Sequence, residues 1–170
     1  MDTTANPAFC TYYTLQHCIT RCKPIDEARR KIFSNPNYLA CFDVCNETVL
    51  KLVKGFRIEE RTACHALVLS QVFISLEGPS VHKTISSDCP FNAFWTCVAM
   101  ICFSTCVGFN DVAWPNIIDM TKVVGLTYSD YAKSFYKRVQ LKFLMTTQWS
   151  LYFPTGNVSM FSLQFLVILT

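Results

Sequence analysis

The chain has 170 residues, of which 51% are hydrophobic and 16% charged, and a net charge of +3. That length suits a single domain with one core, and so apolar a composition excludes disorder. The 15 lysines and arginines are spread along the chain instead of forming a run, which argues against nucleic acid as a partner.

Helical punctuation dominates the chain. Ala8, Tyr12, Leu15, Ile19 and Cys22 recur at the spacing of one helix face, so a first helix is expected over residues 8–22. A short second one, "PIDEARRKIF", opens with Pro24 and acids in its first turn and is stopped by "SNPN". The third, residues 38–55, carries Leu39, Phe42, Cys45, Val49, Leu52, Val53 and Phe56 on a stripe. The fourth, residues 59–76, ends at "EGPS", where Gly78 suits a left-handed cap and Pro79 cannot continue the helix. "SSDCP" then offers Ser or Asp as the N-cap of a fifth helix running to Gly108. A sixth begins near "WPN" and ends at Gly125. A seventh starts at "YSD" with Tyr131, Phe135, Val139 and Phe143 on one side. The eighth, residues 158–169, is short and very apolar, too short to span a bilayer; it is expected to dock on the bundle or to be the remnant of a tail anchor. The fold class expected is all-α: a single helical domain of about eight helices over residues 1–170.

The fifth segment, "FNAFWTCVAMICFSTCVGF", is uncharged throughout. It meets the minimum length for a membrane span, but Asn92, Thr96, Ser104 and Thr105 interrupt it, and neither flank carries a Lys/Arg cluster. Amphipathic neighbours are present to cover it, so the favoured reading is the buried axis of a bundle.

Ten cysteines would suggest a disulfide scaffold in a secreted chain. "MDTTANPAFCTYYTLQHC" has no basic start followed by an apolar run, so a reducing, cytoplasmic setting is expected. There is no CxxC pair, and His17, His65 and His82 are isolated from one another, so no metal or other cofactor is expected. Cys64 and His65 point about 100° apart on a helix and cannot act as nucleophile and base. Nucleotide, zinc-protease and hydrolase motifs are absent, and no enzymatic activity is expected.

This layout, with a long apolar fifth helix, resembles the Bcl-2 family of apoptosis regulators. Two fragments carry the resemblance. Asn92 and Trp95, followed by Val98, Ala99, Met100, Ile101 and Phe103, echo the family's first homology motif, with Thr96 and Cys97 where Gly and Arg would stand. Trp149, Gly156 and Phe161 in "QWSLYFPTGNVSMF" echo the second, with its Gly-Trp broken. The third segment lacks a Leu-x-x-x-Gly-Asp, which suits a pro-survival receptor better than a killer, and the erosion resembles that of divergent viral members. The resemblance implies a cytoplasmic protein, with or without attachment to the mitochondrial membrane, that sequesters pro-apoptotic BH3-motif helices in a hydrophobic groove. The groove would lie between the third and fourth segments: Leu52, Val53, Phe56, Leu69, Val72, Phe73 and Leu76 as walls, Trp95, Val98 and Cys102 as floor. Arg57 or Arg61 would replace the missing motif Arg opposite the ligand's Asp. The alternative is a non-enzymatic helical structural or membrane-associated interaction protein, and apolar surface left over could be covered in a homodimer.

Overall fold

A computed structural model describes residues 23–110 and 115–148 and holds seven helices there: α1 (23–34), α2 (Pro36–Phe56), α3 (Glu60–Glu77), α4 (His82–Ile85), α5 (Phe91–Asn110), α6 (Ile117–Val124) and α7 (Asp130–Thr146). The expected first and last helices, with Trp149, Gly156 and Phe161, lie outside the described residues. α4, a single turn, has no counterpart among the helices expected from the sequence.

Local chemistry sets most of the boundaries. Asn35 caps α2 by accepting from the Asn37 N–H at 2.9 Å, and Pro36 occupies its first turn. Ser129 caps α7 by accepting from Ala132 N–H at 3.1 Å, and Asn116 caps α6 in the same way through Ile118 N–H at 2.9 Å. Gly125 closes α6 in the left-handed region. Gly78 does end α3, but at φ 80 and ψ 172, a conformation open essentially to glycine alone and distinct from the left-handed cap expected. The α5 N-terminus also departs from expectation: the Pro90 carbonyl accepts from Phe94 N–H at 3.1 Å, while Ser86 and Asp88 bond within the preceding turn.

Three long helices, α2, α3 and α5, pack mutually, and α1, α4 and α7 close around them. At the centre Trp95 lies 6.0 Å from Phe73, centroid to centroid, and 5.1 Å from Phe94 in perpendicular edge contact; Phe73 lies 5.2 Å from Phe143 on α7. Such pairs contribute about 0.5–1.5 kcal/mol each beyond the area they bury. α1 docks through Ile25, Ala28 and Ile32, at helical spacing. Polar ties then collect at the C-terminus of α3. Lys31 of α1 donates to the Ser75 carbonyl at 3.3 Å, Lys142 of α7 pairs with Glu77 at 3.3 Å, and Thr146 donates to Glu77. Two cations therefore face the negative end of α3.

α5 is the one helix among the described residues long and apolar enough to cross a membrane, and most of it is buried inside the bundle.

Candidate functional site

The side chains expected to line a groove between α2 and α3 are largely core. Leu52, Leu69, Val72, Phe73, Trp95 and Val98 are each at most 2% exposed, and Cys102 is fully enclosed. Val53 and Phe56 are partly buried, and Leu76 is 59% exposed. The physical reason is that helical periodicity marks a buried face without saying what buries it: α2 and α3 spend those faces on each other and on α5. The motif residues separate as well. Trp95 points into the core, its Nε1 without a hydrogen-bond partner among the described residues, while Asn92 lies exposed on another face of α5. Arg57 and Arg61 are both exposed at the α2–α3 elbow.

Open space occurs instead along the other side of α2 and α5. There α5 presents Asn92, Thr96, Met100, Phe103 and Val107, which recur every three or four residues and so share one face. Opposite, α2 supplies Thr48, Lys51, Leu52 and Phe56. The result is a furrow polar at one end and apolar at the other. α6 lies along it, its Met120 packed with Leu52, Met100, Phe103 and Val107 into a second, smaller core. Ile117, Val123 and Val124 pack against the same cluster, so α6 uses Ile117, Met120 and Val124 as anchors at i, i+3 and i+7. Its Asp119 and Lys122 are exposed and pair at 3.9 Å. Gly55 allows the close approach of α6 to α2: a Cβ there would stand 2.6 Å from Val123 Cγ1.

α6 has eight residues and does not fill the furrow. Beyond its N-terminus lies an apolar cleft of about 330 Å³ lined by Phe56, Ile58, Phe103, Val107, Pro115, Asn116 and Asp119. Beyond its C-terminus a more polar cleft of about 220 Å³ is lined by Val44, Glu47, Thr48, Lys51, Asn92, Thr96, Val124 and Leu126. In the second cleft Glu47 and Lys51 pair at 2.9 Å, and that contact, first through its hydrogen bond, holds the Glu47 carboxyl below its ordinary range. Of the residues expected at a ligand groove, Val53, Phe56 and the buried Leu52 reach this furrow, as does the motif residue Asn92, and Arg57 follows Phe56 in the chain. The residues missed by sequence reading, Ile58, Phe103, Val107 and Met120, carried a usable signal. "PNIIDMTKVVG" is an amphipathic helix whose apolar stripe requires an apolar counterpart.

The chemistry on offer is apolar contact plus peripheral charge. Among the described residues no cluster of three or more His, Cys, Asp or Glu side chains could hold a metal. The described thiols, Cys64 apart, are buried. Burial pushes Cys41 up to about 12 and Cys45, Cys97, Cys102 and Cys106 well up, so these are protonated packing groups and poor nucleophiles. Burial likewise pushes Tyr136 upward, against a hydrogen bond with Ser104 that acts the other way. No protein-family model matches the chain, and neither a curated protein nor a solved structure matches it.

Proposed function

We propose that this protein is a non-enzymatic receptor for amphipathic helices, and that it acts as a divergent, viral-type pro-survival member of the Bcl-2 kind, sequestering pro-apoptotic BH3 helices in the cytoplasm. The observation that carries the helix-binding part is the apolar cleft at Phe56, Phe103 and Val107, which opens at the end of a furrow already shaped around helix α6. A side chain of Leu or Phe size suits a space of that volume, and the exposed Arg57, between the lining residues Phe56 and Ile58 in the chain, is the cation offered to a ligand carboxylate. The pro-survival part rests on the motif fragments around Asn92 and Trp95 and on the all-helical architecture. Relative to the sequence reading, the site moves from the α2–α3 seam to the α2–α5 furrow.

The test is titration of the purified full chain with a panel of BH3 peptides. The expected result is micromolar or tighter binding to at least one peptide, weakened at least tenfold by Phe56→Ser with helicity unchanged. A panel without binders would overturn the pro-survival reading.

The apolar length of α5 favours a second reading, a membrane-associated helical protein. It predicts that the chain needs detergent or lipid to stay monodisperse. A monodisperse helical protein in plain buffer would exclude it.

A further inference from the structure

The clefts flanking α6 leave the furrow longer than the helix that occupies it. From Asn92 to Val107 the α5 face runs about 22 Å at 1.5 Å per residue, whereas the eight residues of α6 cover about 12 Å. α6 is also lightly buried. It buries only Met120 and Thr121, and helices this short have little stability of their own. At its C-terminal end Gly125 sits at φ 80, followed by residues 126–129 outside any helix, so this end has a ready pivot.

We propose that α6 is a resident occupant of the α2–α5 furrow, and that a partner's amphipathic helix of about fifteen residues, with apolar side chains at i, i+3 and i+7, binds by exchanging with it. This rests on the helix-binding reading above and adds its regulation. α6 itself shows which pattern the furrow accepts, through Ile117, Met120 and Val124. A longer helix in the same place would also fill both clefts. Its acidic side chains would meet Lys54 and Arg57, both exposed at the end of α2. Because the resident helix competes intramolecularly, apparent affinity is lowered by the fraction of molecules in which the furrow is vacated.

The geometry provides a lock. A Cβ at position 55 would lie 3.5 Å from the Val123 Cβ, within the range a disulfide needs. In a background with Cys10, Cys18, Cys22 and Cys64 changed to Ser, the Gly55→Cys/Val123→Cys protein can be oxidised with diamide to join the two thiols and reopened with dithiothreitol. The probe is a fluorescent synthetic peptide of residues 115–126, measured by anisotropy, with each single-cysteine variant oxidised as a control. The expected result is probe binding that falls at least tenfold on oxidation of the double variant, returns on reduction and is indifferent to oxidation in the controls. Met120→Ser, which weakens the resident helix without touching the furrow walls, should tighten probe binding about tenfold. Equal probe binding by oxidised and reduced protein, or failure of Met120→Ser to bind the probe more tightly, overturns the exchange. The two readings fail separately. BH3 peptides that bind the locked and unlocked forms alike leave helix capture standing and sink the role of α6. Probe exchange without a BH3 binder keeps α6 exchange and sinks the pro-survival assignment.

Discussion

On one side α5 sets Trp95 against Phe73, with Phe94 and Phe91 closing in around the indole and His82 packed on both phenylalanines. On the other it offers Met100, Phe103 and Val107 to an eight-residue helix with a cleft at each end. The residue types on the two sides are alike; what differs is the length and grip of the covering element. Long neighbours saturate the first side, so opening it means unfolding the protein. A short neighbour covers the second, so it can open locally while the rest stays folded.

The largest expected effect falls mainly on the first side. The buried thiols Cys41, Cys45, Cys97, Cys102 and Cys106 all belong to the larger core, and none belongs to the α6 cluster. Their folded-state values are raised above the ordinary 9.0, that of Cys41 to about 12, so between these values the unfolded chain sheds protons that the folded chain keeps. Their contribution is fully present below pH 9 and is lost as pH rises toward 12 and beyond. Urea midpoints should therefore hold steady to about pH 9 and fall steeply above it; a flat profile through pH 11 would contradict the burial of these thiols.

Next in size is Phe73→Ala. Phe73 is fully buried between Trp95 and Phe143, and truncation should cost about 3–5 kcal/mol in urea unfolding. Met120→Ala should cost less, about 2 kcal/mol, because the clefts beside it let the site collapse. The distinguishing measurement is amide hydrogen exchange in the unsubstituted protein: α6 amides should exchange through a local opening of low free energy that hardly depends on urea, whereas α3 amides should exchange only through an opening that tracks global unfolding. If α6 and α3 amides exchange with the same opening free energy, the two sides form one cooperative unit and the contrast fails.

The larger core was the more legible in the sequence. Val49, Leu69, Val72 and Phe73 fall on stripes that point inward, and the caps at Gly78, Gly125 and Ser129 punctuate the chain where helices end or begin. The site was less legible for a physical reason. A residue lining a groove and a residue packed under a neighbouring helix obey the same 3.6-residue rule, so the pattern could not separate the α2–α3 seam from the α2–α5 furrow. What decides between them is spacing in three dimensions. Gly55 admits Val123 so closely that α6 lies tight on α2, and Phe103 fills the gap toward α5. The one-turn α4 escaped because four residues are too few to show a period.

Arg57 gives the smallest effect on stability and the sharpest separation of folding from binding. It closes α2 at φ 54 and ψ 46, with its N–H donating to the Val53 carbonyl, a left-handed conformation that costs a non-glycine residue roughly 1–2 kcal/mol. Arg57→Gly keeps that backbone bond and removes the strain, so stability should rise by up to about 1 kcal/mol, read as a higher urea midpoint at unchanged slope. The same change deletes the cation beside the Phe56 cleft. If an acidic side chain of the bound helix faces Arg57, affinity should fall by about 1 kcal/mol or less, up to roughly fivefold, as expected for an exposed ion pair, and the loss should fade at high salt. Stability and affinity thus move in opposite directions in one variant, which a merely structural arginine would not produce. A more stable protein with undiminished affinity would instead place the ligand's charge at Lys54 or Arg61, on either side of the same elbow.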